Sequence, residues 1–199
     1  MHAAKLLGAY ECELHAAIER LVAREPTLLV NVGSGDGYYV VGLARRLPAA
    51  RVIAVDPDPL AQRACAHTAH LNALGDRVLA RTSSDAEALE ALLCSSAHAL
   101  LVVDCEGFED ELLDRTRSPS LAHADILVET HDFARPGVTA RLTARFAPTH
   151  DVEELGVAAR DSRMFPELSS ESAAVALGLL DEFRHMPQSW LTLTARGTP

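Results

Sequence analysis

Two groups of residues in this sequence have the types and spacing that chemistry requires. The first is Gly33-Ser34-Gly35-Asp36-Gly37, three glycines at alternate positions directly after the apolar run Leu28 to Val32, with Asp56 following 23 residues after Gly33. Glycine reaches positive φ without steric cost and lets a ligand approach the backbone, while a carboxylate at the end of the next strand can accept hydrogen bonds from ribose hydroxyls. The plainer reading of the same glycines is a tight turn. The second group is acidic with one imidazole: Asp104 and Glu106, then Glu129, His131 and Asp132. Here Asp104 and Glu106 are candidate substrate-orienting carboxylates, and His131 is the candidate base because imidazole titrates near neutrality. Oxygen ligands such as Asp104, Glu129 and Asp132 would suit magnesium or calcium, and adding His131 would suit manganese, iron or zinc. The structural alternative makes Glu106 and Glu109 caps of the following helix and His131 a solvated loop residue.

These residues need elements to bring them together, and the sequence supplies an alternation of short apolar runs with alanine-rich helical segments. The predicted strands are Leu28 to Val32, Arg51 to Val55, Val78 to Arg81, Leu100 to Asp104 and Ile126 to Glu129. Each is nearly all apolar, as strands buried on both faces of a parallel sheet should be. The helices between have chemically sensible ends. Pro48 stops the first; Asp58 caps the second, with Pro59 in its first turn and Gly75 at its finish. Ser84 with Glu87 makes a capping box for the third, and Pro136 opens a later helix ending near Phe146. Further on, Asp151 to Leu155 and Trp190 to Thr194 read as two last strands. They enclose an insertion, 156–188, with a helix around Ser172 to Phe183. At the start, Leu7, Leu14, Ile18 and Leu21 recur at helical spacing, predicting one helix over Leu6 to Ala23 within an N-terminal segment 1–26. The whole predicts a single α/β domain with a Rossmann-like, doubly wound sheet. In such a sheet ligands bind outside the carboxyl ends of the strands, which puts Gly33 to Tyr38 at the mouth and brings the ends of the fourth and fifth strands over it.

Composition narrows the partners. The chain has 199 residues, 48% hydrophobic and 23% charged, with a net charge of −10 and no basic run, which argues against a nucleic-acid partner. No apolar run approaches the roughly 18 residues needed to span a bilayer, and Glu11 and Glu13 sit where a secretory signal would be apolar. A cytoplasmic protein with no membrane partner is the expectation. Cys12, Cys65, Cys94 and Cys105 have neither zinc-ribbon nor disulfide-framework spacing. Lys5 is the only lysine and lies outside the glycine loop, which removes Walker A and pyridoxal chemistry, both of which need a lysine. A small-molecule substrate fits this composition, and a homodimer is compatible with it.

A dinucleotide fingerprint, G-x-G-x-x-G, would need glycine at Tyr38, which disfavours an NAD-dependent dehydrogenase. Alternate glycines are instead the loop of enzymes that use S-adenosylmethionine (SAM), a nucleoside and an amino acid without pyrophosphate. On that reading the loop, Gly33, Ser34, Gly35, Gly37 and Tyr38, lies against the methionine part, Asp56 holds the ribose, and the Ser83-Ser84-Asp85 turn meets the adenine.

The loop, "VIAVDPDP", "LVVDCEGFEDELL" and "DILVETHDF" together resemble the class I SAM-dependent methyltransferases. Within them the resemblance is to the FkbM-type methyltransferases, whose fourth strand runs into Asp-x-Glu-Gly-x-Glu, here Asp104, Glu106, Gly107 and Glu109. It covers about Leu28 to Asp132 and implies a seven-stranded sheet with an antiparallel last strand and O-methylation of a small molecule or sugar. Two positions depart from the pattern. Asn31 stands where such enzymes carry an acidic residue, which bears on how the SAM amino group is held, and Asp56 stands where the subfamily has glutamate. Asn31 also motivates an alternative, a SAM-binding regulatory partner without methyl transfer. A SAM-using cyclase is the other variant.

Overall fold

A computed structural model describes residues 3–82, 85–182, 186 and 188–197. After α1 (Ala3–Leu7) and α2 (His15–Val22), five strands alternate with helices: β1 (Leu28–Val32), α3 (Tyr38–Arg46), β2 (Arg51–Val55), α4 (Pro59–Leu71), β3 (Val78–Arg81), α5 (Ala86–Leu93), β4 (Ala99–Val103), α6 (Glu109–Leu112) and β5 (Asp125–Thr130). The chain continues through α7 (Val138–Phe146), β6 (His150–Gly156), α8 (Ala173–Leu180) and β7 (Ser189–Ala195). The seven strands form one sheet in the order β3-β2-β1-β4-β5-β7-β6. β1 to β5 are parallel, and β7 runs antiparallel to both β5 and β6. The Rossmann-like α/β fold expected from the alternation, mostly parallel with an antiparallel last strand, is the fold observed.

Period two along the strands divides the core. Val30, Val32, Ile53, Val55, Leu101, Val103, Ile126 and Val128 pack on one face with Leu89 and Leu93 of α5 and Val138, Leu142 and Phe146 of α7. Their neighbours Leu29, Val52, Ala54, Leu100, Val102 and Leu127 pack on the other with Leu21 of α2, Val40 and Leu43 of α3, and Cys65 and Ala69 of α4. A third, smaller cluster joins Ala4 and Ala9 to Leu168, Ala176 and Leu180, so α1 lies against α8. At the amino ends of the strands, buried Asp125 ties three elements together. It accepts from the Arg24 guanidinium at 2.6 Å and the Ala195 amide at 2.9 Å, and lies 2.8 Å from His98 Nε2.

Several local expectations need correction. The single N-terminal helix is broken, because Gly8 (φ 70°) and Glu11 (φ 48°) are left-handed and a 3-10 turn, Cys12–Leu14, intervenes before α2. The third strand, expected to be buried on both faces, is largely exposed because it lies at the sheet edge. The cap of α5 is Asp85, whose carboxylate accepts from the Ala88 amide at 2.7 Å, while Glu87 pairs with Arg117; Ser84 lies outside the described residues. α7 starts after Gly137, two residues beyond Pro136, and α4 ends at Leu71, before Gly75. Asp58 with Pro59 caps α4 as expected, its carboxylate accepting from the Leu60 amide at 2.8 Å.

Candidate functional site

Because β1 leads to β2 on one side and its other neighbour is β4, the winding reverses between β1 and β4, and a cleft opens at their carboxyl ends. Its volume is about 660 Å³, and its walls include Gly33 and Gly35 after β1, Asp56 and Pro57 after β2, Thr82 after β3, and Asp104, Glu106 and Phe108 after β4. That is within the range of small-molecule and cofactor pockets.

The three loop glycines do different work. At Gly33 (φ +77°) a Cβ would fall 1.6 Å from the carbonyl oxygen of Asp104, so glycine is required for β1 and β4 to close up. At Gly37 (φ +88°) it would lie 3.2 Å from the Cα of Cys65, so this glycine seats α3 on α4. Only Gly35 (φ +52°) has nothing within 4 Å of that position. Its amide donates to Asp56 Oδ2 at 2.9 Å, and the Asp58 amide donates to Oδ1 at 2.9 Å, so the carboxylate of Asp56 is fixed in the cleft wall by two backbone donors. Each oxygen retains lone-pair capacity for a further donor.

Five of the residues expected at the cofactor are placed elsewhere. Asn31 is buried on the α3 side of the sheet, its Nδ2 donating to the Val102 carbonyl at 3.2 Å, because alternation along β1 points it away from the cleft. Ser34 is buried beside Cys65 and Gln62 of α4 rather than in the cleft wall. Gly37 is the packing glycine just described. Tyr38 stacks edge-on with Tyr10 and Tyr39, ring centres 5.2 and 5.3 Å away. Lys5 Nζ lies 5.4 Å from the Tyr38 ring and bonds Asp36 at 2.8 Å, which docks α1 over the glycine loop. Asp85 is occupied as the α5 cap, and Ser83 and Ser84 lie outside the described residues; Thr82 is the cleft residue from that turn.

The acidic group does converge. Asp104 follows β4, Glu129 lies in β5, and His131 follows it. His131 is fully buried, and its Nδ1 is 2.7 Å from Glu109 Oε1. That carboxylate, also fully buried, takes the Gly107 amide at 2.9 Å as well. The other ring nitrogen, Nε2, has no hydrogen-bond partner and faces Asp104 Oδ1 at 3.6 Å, Glu106 Oε2 at 3.6 Å and Glu129 Oε2 at 3.7 Å. Burial pulls the imidazole pKa down, but the Glu109 bond and the charges of Glu109, Glu129 and Asp104 outweigh it and hold it above the ordinary value. Burial, opposed by His131 and reinforced by Glu106, pushes Asp104 up to about 6. Glu109 moves the other way: burial raises it, but the His131 and Gly107 bonds bring it below the usual carboxylate value.

His131 therefore does not line the cleft; Asp104 and Glu106 stand between it and the opening. Asp132 is not in the group. Its carboxylate accepts from the Gly137 amide at 2.8 Å and from Thr139, capping α7. Glu109 is the residue whose role the sequence reading missed, having been weighed only as a helix cap. Its signal was the spacing of Asp104-x-Glu106-Gly107-x-Glu109, in which Gly107 (φ +102°) and Glu106 (φ 54°) turn the chain back toward the strands. Glu11, which core packing or closure over the cofactor could explain from the sequence, is buried, bonds the Tyr39 hydroxyl, and adds its charge at Asp104.

No protein-family model matches the sequence, and no curated protein matches it. Solved structures do. The chain is similar to precorrin-8w decarboxylase from Methanobacterium thermoautotrophicum, at 21% identity over 92% of this chain and 90% of that one, with a TM-score of 0.55. It is similar to precorrin-6y C5,15-methyltransferase from Geobacter metallireducens, at 10% identity over 89% and 87% of the two chains, TM-score 0.59. An O-methyltransferase from Bacillus cereus, crystallised with S-adenosylhomocysteine (SAH), matches at 13% identity over 96% and 90%, TM-score 0.56. At these identities the likeness is one of fold, and the chain has the Rossmann-like seven-stranded fold found in methyltransferases.

Proposed function

We propose that this chain is a SAM-dependent methyltransferase acting on a small molecule through an oxygen nucleophile. The observation that carries the reading is the cleft at the β1/β4 switch point, where Gly35 leaves open space beside a carboxylate fixed by two backbone amides. Gly33, Gly35 and Asp56 would hold SAM, with Asp56 accepting from ribose hydroxyls and Pro57, Thr82 and Phe108 offering walls to the adenine. When bound, SAM supplies an electrophilic methyl group. The chain's own contribution is alignment and exclusion of water, an effect on the order of several kcal/mol. Asp104 and Glu106, on the β4 side of the same cleft, orient the acceptor hydroxyl by accepting its hydrogen bond. His131 acts through them as a positioning residue, its ring held under their carboxylates by Glu109. The family-level resemblance in Asp104-x-Glu106-Gly107-x-Glu109 supports the FkbM-type subfamily within this class. Calorimetric titration with SAM and SAH tests the reading: micromolar binding is expected, weakened at least tenfold in Asp56→Ala. Folded protein that binds neither ligand would sink it.

A further inference from the structure

We infer that Asp104, Glu106 and His131 form a binding site for one divalent first-row transition ion of the Zn²⁺ or Mn²⁺ class. This site shares Asp104 and Glu106 with the cleft wall, and an ion bound there does not require methyl transfer.

Acidic residues gather on many protein surfaces without an ion; here a buried imidazole stands among them. His131 has no exposed surface, and its Nε2 lacks a hydrogen-bond partner. A buried polar atom left unsatisfied is costly, and most such atoms are paired by protein or by a group that binds there. This atom is aimed at three carboxylate oxygens, all 3.6 to 3.7 Å away, beyond hydrogen-bond distance. Those three oxygens and one nitrogen come from two neighbouring strand ends, and the ligand atoms of Asp104, Glu106 and His131 lie within 4.8 Å of one another. Asp104 Oδ1 also lacks a hydrogen-bond partner.

The spacing suits an ion. Nε2 lies 3.6 Å from Asp104 Oδ1 and 3.6 Å from Glu106 Oε2, separations that one ion can span at the ~2.0–2.2 Å of zinc–nitrogen and zinc–oxygen bonds. The support behind the ring also matches what a metal-bound histidine needs. Glu109 receives Nδ1–H at 2.7 Å, which fixes the tautomer with its lone pair on Nε2, and Glu109 is itself fixed by the Gly107 amide. A nitrogen among the ligands selects against magnesium and calcium, which take oxygen shells, and toward manganese, iron or zinc. Glu106 completes the geometry from an uncommon backbone. Its φ of 54° is unusual for a residue with a side chain, and it brings the Glu106 carboxylate over His131.

The test uses the full chain, stripped with chelator, titrated calorimetrically with Zn²⁺, Mn²⁺ and Mg²⁺, and loaded with Co²⁺ for its visible absorption. One Zn²⁺ or Mn²⁺ per chain is expected, with Mg²⁺ at least tenfold weaker and a Co²⁺ spectrum indicating nitrogen ligation. Glu106→Gln alters a side chain that is 77% exposed, so the fold survives it, and it should weaken Zn²⁺ binding at least tenfold. Glu109→Gln, which changes only the group behind the imidazole, should weaken it about 10–100-fold. Absence of Zn²⁺ and Mn²⁺ binding overturns the inference, as does binding that Glu106→Gln leaves unchanged, or Mg²⁺ binding as tightly as Zn²⁺. SAH titrations of the same samples read the cofactor cleft separately, so loss of one site is distinguishable from loss of the other.

Discussion

Gly33 and Gly35 stand two residues apart in one loop, yet the structure gives their alanine variants opposite outcomes. At Gly33 the new methyl carbon would sit 1.6 Å from the Asp104 carbonyl oxygen and 2.7 Å from its carbonyl carbon, both backbone. Clearing it to ordinary contact means parting the ends of β1 and β4, which strains the bonds from Gly33 N to Val55 O and from Asp104 N to Val32 O, each 2.9 Å. Two such bonds are worth about 1 kcal/mol each, and a left-handed alanine costs roughly 1–2 kcal/mol more, so Gly33→Ala should lose about 3–4 kcal/mol or more. At about 2–4 °C per kcal/mol for a chain of this size, its melting temperature should fall by roughly 6–16 °C. Gly35→Ala meets nothing within 4 Å and carries only the left-handed cost, about 1–2 kcal/mol or roughly 2–8 °C. Gly35 lines the cleft, so with SAM bound there as proposed, SAH affinity should drop at least tenfold, about 1.4 kcal/mol. Differential scanning calorimetry and SAH titration on both variants make the comparison. Should Gly33→Ala melt within 2 °C of the parent, the close approach of β1 to β4 is not a constraint. If Gly35→Ala binds SAH like the parent, the cleft is not the cofactor's.

Other perturbations probe the rest of the molecule. Asp56→Asn keeps one side-chain oxygen for the Gly35 or Asp58 amide but not both, and is expected to reduce SAH affinity with a modest fall in melting temperature; unchanged affinity by calorimetry would count against Asp56 as the ribose residue. Asp125→Ala leaves Arg24, His98 and the Ala195 amide without their shared carboxylate, and removing one partner of a buried ionic group should cost about 3 kcal/mol or more by urea unfolding. His150 gives a pH prediction with a definite sign. Burial, aided by Arg115 and opposed by the Ala124 carbonyl, holds its folded pKa below the unfolded value of 6.5, so below that value the unfolded chain binds the extra proton. The stabilisation is therefore whole above about pH 6.5 and lost as pH falls toward the folded pKa; His150→Gln should flatten this part of the urea-midpoint profile, and a profile identical to the parent's would refute it.

The parallel sheet was legible because five apolar runs of four to five residues recur between helical segments, a pattern that only a sheet with helices on both faces satisfies. What was illegible depended on which way a side chain points within a correctly placed element. Asn31 follows Val30 and precedes Val32, both on the α5 and α7 face, so β1 must send it to the opposite face and into a bond with Val102. Asp132 and His131 are adjacent in sequence, yet one caps α7 and the other enters the carboxylate group, because the chain turns between them. The break in the N-terminal helix was hidden for another reason. Glu11 adopts φ 48°, a conformation its residue type rarely takes, and tertiary contacts support it: Tyr39 bonds its carboxylate, and its own amide donates to Glu182 at 2.9 Å.

The motif Asp104-x-Glu106-Gly107-x-Glu109 explains why one short segment can serve two purposes. β4 delivers Asp104 to the cleft edge, where its amide still bonds the Val32 carbonyl at 2.9 Å and so fixes it to β1. Glu106 and Gly107 then take successive positive φ values, 54° and 102°, reversing the chain within two residues. The reversal sends Glu109 inward rather than outward, where it takes the Gly107 amide that the turn would otherwise leave buried and, with the same oxygen, holds His131 from the end of β5. A single carboxylate thus closes the β4 turn and sets the imidazole of the next strand. The carboxylates nearest the cleft, Asp104 and Glu106, are in turn arranged around that imidazole's Nε2. Glu109→Ala should therefore act at a distance. It exposes no new cleft surface, yet it releases the Gly107 turn and the His131 ring together, and should loosen both Asp104 and Glu106. Stability should fall by about 3 kcal/mol or more, since a buried ionic partner is removed, whereas the isosteric change Glu109→Gln keeps one carbonyl oxygen as acceptor and should restore part of it. Hydrogen exchange at Gly107 reads the turn directly. Protection there equal to the parent's in Glu109→Ala would mean that the turn stands without its carboxylate and that the coupling between the two strand ends runs elsewhere.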